Sequence, residues 1–243
     1  NARVQALACR ALASVCGDST STSKRRVMAI LSANRAHLGH ADARGLALFE
    51  HARNLSHDLD ARTLVVSAGG VEAVLLGMSA HVLHAGVQLE ACRALARICK
   101  GSAKNVALVT SKSGVEAILL AMCAHAGHAG VQHEACRALA HLCCCDKDDS
   151  ARVLVASKCV EAILRGMGAH VGHAGVQECA CAVLESLCCQ DAARWGLIVS
   201  KGGVEAIVSG MRAHVGHAGV QIRALGALLS VSSGDAEFCG LVA

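Results

Sequence analysis

Fourteen histidines and fifteen cysteines in 243 residues are the side chains best able to do chemistry in this chain. Ten of the histidines form five His-x-x-His pairs: His37/His40, His81/His84, His125/His128, His170/His173 and His214/His217. Two imidazoles so spaced are half of a tetrahedral zinc site, which takes four ligands from Cys, His, Asp or Glu. No Cys, Asp or Glu recurs beside them to complete the set. Helices of neighbouring copies pack about 10 Å apart, too far to share one ion with bonds of about 2 Å. No metal is therefore expected, and the pairs read first as helix punctuation. The first His ends a helix, where a ring donor or cation suits exposed carbonyls, and the second lies in the turn before the next helix. A stacked edge of rings that charges near pH 6 is the other reading.

The cysteines follow a rule of their own. Cys9/Cys16, Cys92/Cys99, Cys136/Cys143 and Cys181/Cys188 are each seven apart, so both members lie on one face of a helix. Free cysteine packs as a small hydrophobe, and Leu225 stands at the matching position of the last copy. Cys143-Cys144-Cys145 and Cys188-Cys189 lack the two-residue gap of a zinc knuckle or thioredoxin-like site. The cysteine count is odd and no secretory apolar region opens the chain. A reducing compartment, cytoplasmic or nuclear, is expected.

Nucleophile elbows, phosphate-binding loops, His-Glu-x-x-His and dinucleotide fingerprints do not occur. Glu72, Glu116, Glu161 and Glu205 recur where a second helix begins and complement its dipole. Residues repeated in every copy are structural by position, whereas catalysis needs a unique constellation. Trp195 is unique but aligns with Val106, a packing position. The chain is expected not to be an enzyme and to need no cofactor.

These side chains are placed by a repeat. Val87-Gln88, Val131-Gln132, Val176-Gln177 and Val220-Gln221 step by 44, 45 and 44 residues, and Val4-Gln5 opens a further copy. Val71-Glu72-Ala73, Val115-Glu116-Ala117, Val160-Glu161-Ala162 and Val204-Glu205-Ala206 keep the same period, and fixed self-similarity of this length marks a solenoid. One period predicts three helices: a short one over 103–112, a second from Val115 to about Ala124 after the turn Ser113-Gly114, and a third from near Val131. Glycine suits that turn because it takes a left-handed backbone without a Cβ clash. No helix could bury its apolar stripe alone; stacking on neighbours does so.

Composition agrees. Hydrophobic residues make up 53%, there is no proline, and Phe49, Phe238 and Trp195 are the three aromatics of the Phe, Trp and Tyr class. Disorder is excluded, a β-sandwich is disfavoured, and ring platforms for stacked nucleic-acid bases are absent. The net charge of +4 is too small a surplus for a nucleic-acid stripe. Polar residues or glycine break every apolar stretch before about 18 residues, so no membrane span is predicted.

The order of three helices in about 44 residues, with a short first helix and a Gly turn before the second, resembles the armadillo repeat. It is carried by Lys104-Asn105-Val106, Gly114-Val115-Glu116-Ala117-Ile118 and Glu134-Ala135-Cys136-Arg137-Ala138-Leu139. Two-helix HEAT repeats of similar length are the alternative. The resemblance implies an all-α, right-handed α-solenoid whose third helices line a concave groove for extended peptides or proteins. On this reading residues 1–243 are one array. It comprises a lone third helix (1–17), a degenerate copy (18–57), four repeats (58–101, 102–146, 147–190 and 191–234) and a partial copy (235–243). Leu7, Leu12, Phe238 and Leu241 are core-type residues at the ends, so the array is expected to continue or its ends to be covered by partners.

In armadillo proteins of the importin-α kind the third helix presents a Trp and, one turn on, an Asn to the bound peptide. The Trp position falls here on Arg10, Glu50, Arg93, Arg137, Ala182 and Gly226, and the Asn position on Ser14, Asn54, Arg97, His141, Ser186 and Ser230. Only Asn54 keeps the family residue, and the Trp ladder is absent. Arg93, Arg97, Arg137 and His141 make a basic stripe suited to carboxylate or phosphate, or an ordinary solvated face. Ala182, Ser186, Gly226 and Ser230 make a small-residue surface open to close approach. The leading expectation is a non-catalytic scaffold or adaptor binding a protein or extended peptide, acidic or phosphorylated, along this groove. The alternatives are a structural subunit docked permanently in a larger assembly, and a metal- or pH-responsive module acting through the His-x-x-His edge.

Overall fold

The computed structural model describes residues 65–67, 69–145, 149–188 and 192–232. Ten helices follow one another there: α1 Gly70–Ala80, α2 Ala85–Cys99, α3 Ala103–Ser111, α4 Gly114–Ala124, α5 Ala129–Cys144, α6 Ser150–Ala169, α7 Ala174–Cys188, α8 Ala192–Ser200, α9 Gly203–Ala213 and α10 Ala218–Ser232. The described residues contain no strand. No single described helix is long and apolar enough to cross a membrane. Arg10, Ser14, Glu50 and Asn54, the copies over 1–57 and the partial copy over 235–243 lie outside the described residues.

The elements stack by type. The third helices α2, α5, α7 and α10 pack one on the next, and beside them α1, α4, α6 and α9 form a second row. The described residues thus form an all-helical repeat array of solenoid form. Small side chains let the third helices approach closely. Cys92, Cys136 and Cys181, one repeat apart, are fully buried together with Ala91, Ala135 and Ala180. Burial pushes the Cys92, Cys99, Cys159 and Cys181 thiols up to about 12, and raises Cys136 as well. They remain neutral packing groups, because reactivity belongs to the thiolate. Leu225 occupies the position of Cys181 on the last described helix, where it is 48% exposed beside Ile222 and Leu229.

A sharp turn separates first from second helix in most copies. Between α3 and α4 the chain bends by 71°, and the residue at the bend is left-handed: Gly69 (φ 78°), Ser113 (φ 62°) and Gly202 (φ 79°). The glycine that follows is set by a close approach. A Cβ on Gly114 would stand 2.7 Å from the Val109 carbonyl oxygen, and Gly70 and Gly203 meet Val65 and Ile198 in the same way. In the repeat over 147–190 these two positions are Lys158 and Cys159. The tight turn cannot form around a Cβ, and the expected first and second helices are instead one 20-residue helix, α6. Cys159 lies buried in its middle. Glu161 therefore sits mid-helix, unlike Glu72, Glu116 and Glu205, which occupy first turns.

Trp195 is buried on α8 as a packing residue, as its alignment with Val106 predicts. The turn glycine gives a direct check. Gly114→Ala is expected to cost about 1–3 kcal/mol through overpacking and to lower the urea midpoint. Gly127→Ala, at a position with open space around it, is expected to leave the midpoint unchanged.

Candidate functional site

The repeated polar residues make the same bonds in successive copies, three times for the first His of the pair and four times for the second His and the Gln. The first His of each pair caps the end of a second helix. From there it reaches back to the preceding repeat: Nε2 of His125 donates to the Val82 carbonyl, His170 to Ala126 and His214 to Val171, each at 2.8 Å. A carbonyl only accepts, so these rings carry their proton on Nε2. The second His is the N-cap of the third helix. Nδ1 of His84, His128, His173 and His217 accepts the backbone N–H three residues on, at 3.2–3.3 Å. This is the role usually held by Ser, Asp or Asn, and only a neutral imidazole can perform it. The geometry agrees with the punctuation reading of the pairs. No group of three or more His, Cys, Asp or Glu among the described residues is arranged to hold a metal ion.

A further repeated residue carries more of the structure than its sequence signal indicates. Gln88, Gln132 and Gln177 are buried, and the side-chain amide of each donates twice. Gln132 Nε2 reaches the Met122 carbonyl at 2.8 Å and the His125 carbonyl at 3.0 Å. Gln88, Gln177 and Gln221 do the same to Met78 and His81, Met167 and His170, and Met211 and His214. The open carbonyls at the end of each second helix are thereby satisfied from the start of the third. The next repeat closes over this contact, since a Cβ on Gly166 would stand 2.8 Å from Gln132 Oε1 and one on Gly210 2.5 Å from Gln177 Oε1. The Val-Gln step was legible as a marker of the period, but its hydrogen bonds depend on how two helices meet.

Against this constant frame, the third-helix positions that vary form the candidate site. Arg93, on α2, is not a bare cation. Its Nε donates to Glu134 Oε1 on α5 at 2.9 Å, and its Nη1 to Glu90 Oε1 at 2.7 Å. Arg137 Nη2 lies 2.5 Å from Glu134 Oε2, and Glu134 itself is buried. Burial, then the guanidiniums of Arg137 and Arg93, hold Arg97 below its ordinary value. Burial, then Arg137 and Lys100, do the same to His141. The structure thus brings Arg93, Arg97, Arg137 and His141 together as the sequence suggests, but sets two carboxylates among them. Three guanidiniums face Glu90 and Glu134. Within the chain Arg97 Nη1 and Arg137 Nε have no hydrogen-bond acceptor, and Glu90 Oε2 and, beyond its ion pair with Arg137, Glu134 Oε2 have no hydrogen-bond donor. The cluster's own groups leave bonds unmade on both sides, and each such buried group costs about 1–3 kcal/mol.

The small-residue positions differ from the expectation of an open surface. The space in front of Gly226 is filled by the Glu185 carboxylate of α7, whose Oε1 would stand 2.5 Å from a Cβ there. Glu185 also pairs with Arg223 at 3.1 Å. Ser186 and Ser230 turn their hydroxyls to their own helices, donating to the Ala182 and Gly226 carbonyls at 2.9 and 2.8 Å. Ala182 and Ser186, on α7, carry no charge at these positions.

Ion pairs also link successive repeats along the other rows. Lys112 meets Glu72, Lys158 meets Glu116 at 2.5 Å and Lys201 meets Glu161 at 2.6 Å. Arg194 of the next repeat and Arg152 both bind Asp149, and the hydrogen bond from Arg194 holds that carboxyl below the usual range. Exposed pairs of this kind contribute little singly.

Solved structures share this fold. One engineered protein, a structural-genomics target, superposes with a TM-score of 0.76 at 26% identity, over 96% of this chain and 92% of its own. Another engineered protein gives a TM-score of 0.74 at 28% identity, over 96% of this chain and 55% of that one. No protein-family model matches the chain, and no curated protein matches it.

Two expectations follow from these bonds. Gln132→Leu strands the Met122 and His125 carbonyls and is expected to destabilise by about 2–4 kcal/mol, read as a lower urea midpoint. Stability is also expected to fall on mild acidification. His133 and His141 are held below their ordinary 6.5, mainly by burial, so the unfolded chain takes up their protons first. Their contribution is complete above about pH 6.5 and is lost as pH falls through that value toward the folded one. Glu90, raised by burial, acts in the opposite direction nearer the carboxylate range. Urea midpoints at pH 7.5 and 5.5 should differ in the parent and converge in His133→Gln/His141→Gln; an unchanged difference contradicts the assignment.

Proposed function

We propose that the chain is an armadillo-type scaffold without catalytic activity of its own. Its third helices bind an extended protein segment, acidic or phosphorylated, within the reducing cytoplasm or nucleus. The observation that carries this reading is the division of labour along the repeat. The recurring His, Gln and Gly residues are engaged in holding one helix or one repeat to the next. The residues free to differ between copies, Arg93/Arg137/Ala182/Gly226 and Arg97/His141/Ser186/Ser230, lie along the row of third helices. In the right-handed superhelix of the armadillo type that row is the concave face, and an extended segment would cross it one repeat at a time.

The electrostatics support an acidic ligand over a basic one. The cluster between α2 and α5 holds three guanidiniums, Arg93, Arg97 and Arg137, against two carboxylates, Glu90 and Glu134. Guanidinium matches carboxylate and phosphate in shape as well as charge. The flanking Ala182 and Ser186 leave room for the ligand's main chain.

Selection from a random display library of 15-residue peptides, run with and without kinase treatment, tests the proposal. Acid-rich or phosphorylated sequences are expected to be enriched. They should be lost from Arg97→Glu/Arg137→Glu/Ser186→Glu protein whose far-UV circular dichroism is unchanged. No enrichment, or the same peptides on both proteins, contradicts it.

A further inference from the structure

The ion pairs across the third helices follow a ladder, and the ladder is broken at one rung. Arg93 on α2 reaches forward to Glu134 on α5, 41 residues later. Arg137 stands one repeat after Arg93 and should reach forward in the same way to α7. The residue one repeat after Glu134, however, is Cys179. Arg137 and Cys179 are electrostatic neighbours, so the register is kept while the acid is missing. Burial pushes that thiol up to about 11, so it supplies no counter-charge at neutral pH. Arg137 retains only Glu134, which it shares with Arg93, and its Nε–H has no acceptor. Arg97 is in the same condition at Nη1. The residue one repeat after it is His141, which burial and the neighbouring cations bias toward the neutral ring.

From this juxtaposition we infer that Arg97, Arg137 and His141 form a specific notch for one oxyanion, the side chain of a phosphoserine or glutamate in the bound segment, which takes the place of the carboxylate that Cys179 omits. The inference rests on the scaffold reading and narrows it. Of the four basic groups on this face, Arg93 is committed to Glu90 and Glu134, and the ligand's charge is read by the other three. A neutral His141 presents a ring nitrogen donor to the same oxyanion. The missing acid makes the notch specific to the step from α5 to α7, so the ligand is held in one register along the array instead of sliding between equivalent repeats.

The test uses the folded chain with 15N-labelled arginine side chains, titrated with inorganic phosphate at pH 7.5 and constant ionic strength. Saturable shifts are expected at the Nη–H signals of Arg97 and the Nε–H signal of Arg137, with Arg93 unmoved. Cys179→Glu restores the residue that two preceding repeats carry at this position, so it is expected to fold. It should weaken phosphate binding at least tenfold, whereas Arg212→Gln, an exposed change on α9, should not. Nine-residue peptides carrying one phosphoserine, one glutamate or neither then compete with phosphate. Displacement by the first two and not the third identifies a side-chain oxyanion, and their relative strength tells phosphate from carboxylate. Shifts spread without saturation over the exposed cations, or equal affinity in Cys179→Glu, overturn the notch. Library peptides that bind without moving Arg137 overturn it and leave the scaffold reading intact. Phosphate that no peptide displaces overturns the scaffold reading, and with it the peptide side chain as ligand.

Discussion

The open end of the second helix is the point on which the array depends. A helix of 11 residues such as α4 leaves carbonyls without partners at its C-terminus, and here Met122 of that last turn is buried and His125 half-buried. A buried glutamine amide closes it, donating to two of those carbonyls from the first turn of the third helix. The same contact fixes the angle between the two helices. The glycine of the next repeat, Gly166 or Gly210, packs directly on the amide oxygen side, so one side chain ties together two helices and the following copy.

The His pairs extend this arrangement around the edge. One ring donates across the repeat boundary and the other caps the helix that follows. Together with the glutamine they bond the backbone at the corner between second and third helix from residues that recur with the period. This explains how a chain without proline and with few aromatic rings can hold a regular array on Ala, Val, Leu and Cys packing. At the remaining third-helix positions the copies diverge: cations on α2 and α5, of which Arg93 pairs across to Glu134, small residues on α7, and an acid–base pair joining α7 to α10.

Much of this was legible in the sequence, because a 44-residue period exposes which residues recur. Helix order, the buried cysteine pairs and the placing of the two histidines at a helix end and a helix start could be read directly. Three features were not. The role of Gln132 requires the angle at which α4 meets α5. The pairing of Arg93 with Glu134 spans 41 residues and appears only when two repeats are docked, so the basic stripe looked more cationic than it is. The room in front of Gly226 looked open because Glu185, which fills it, belongs to the preceding copy. The fusion of two helices into α6 did have a local signal: Lys158-Cys159 stands where other copies have Gly-Gly or Ser-Gly, and a Cβ at that turn collides with the preceding carbonyl.

The central claim is that the recurring polar residues hold the array, whereas the varying residues Arg97, Ser186 and Ser230 do not. The most direct measurement is a set of urea midpoints at pH 7.5 for single alanine variants of both kinds. His125→Ala, His170→Ala and Gln177→Ala should each lower stability by 1 kcal/mol or more, on the order of one lost buried hydrogen bond or a stranded carbonyl. Arg97→Ala, Ser186→Ala and Ser230→Ala should stay within about 0.5 kcal/mol of the parent. If the second group destabilises as much as the first, those residues belong to the frame, and the division on which the account rests is contradicted.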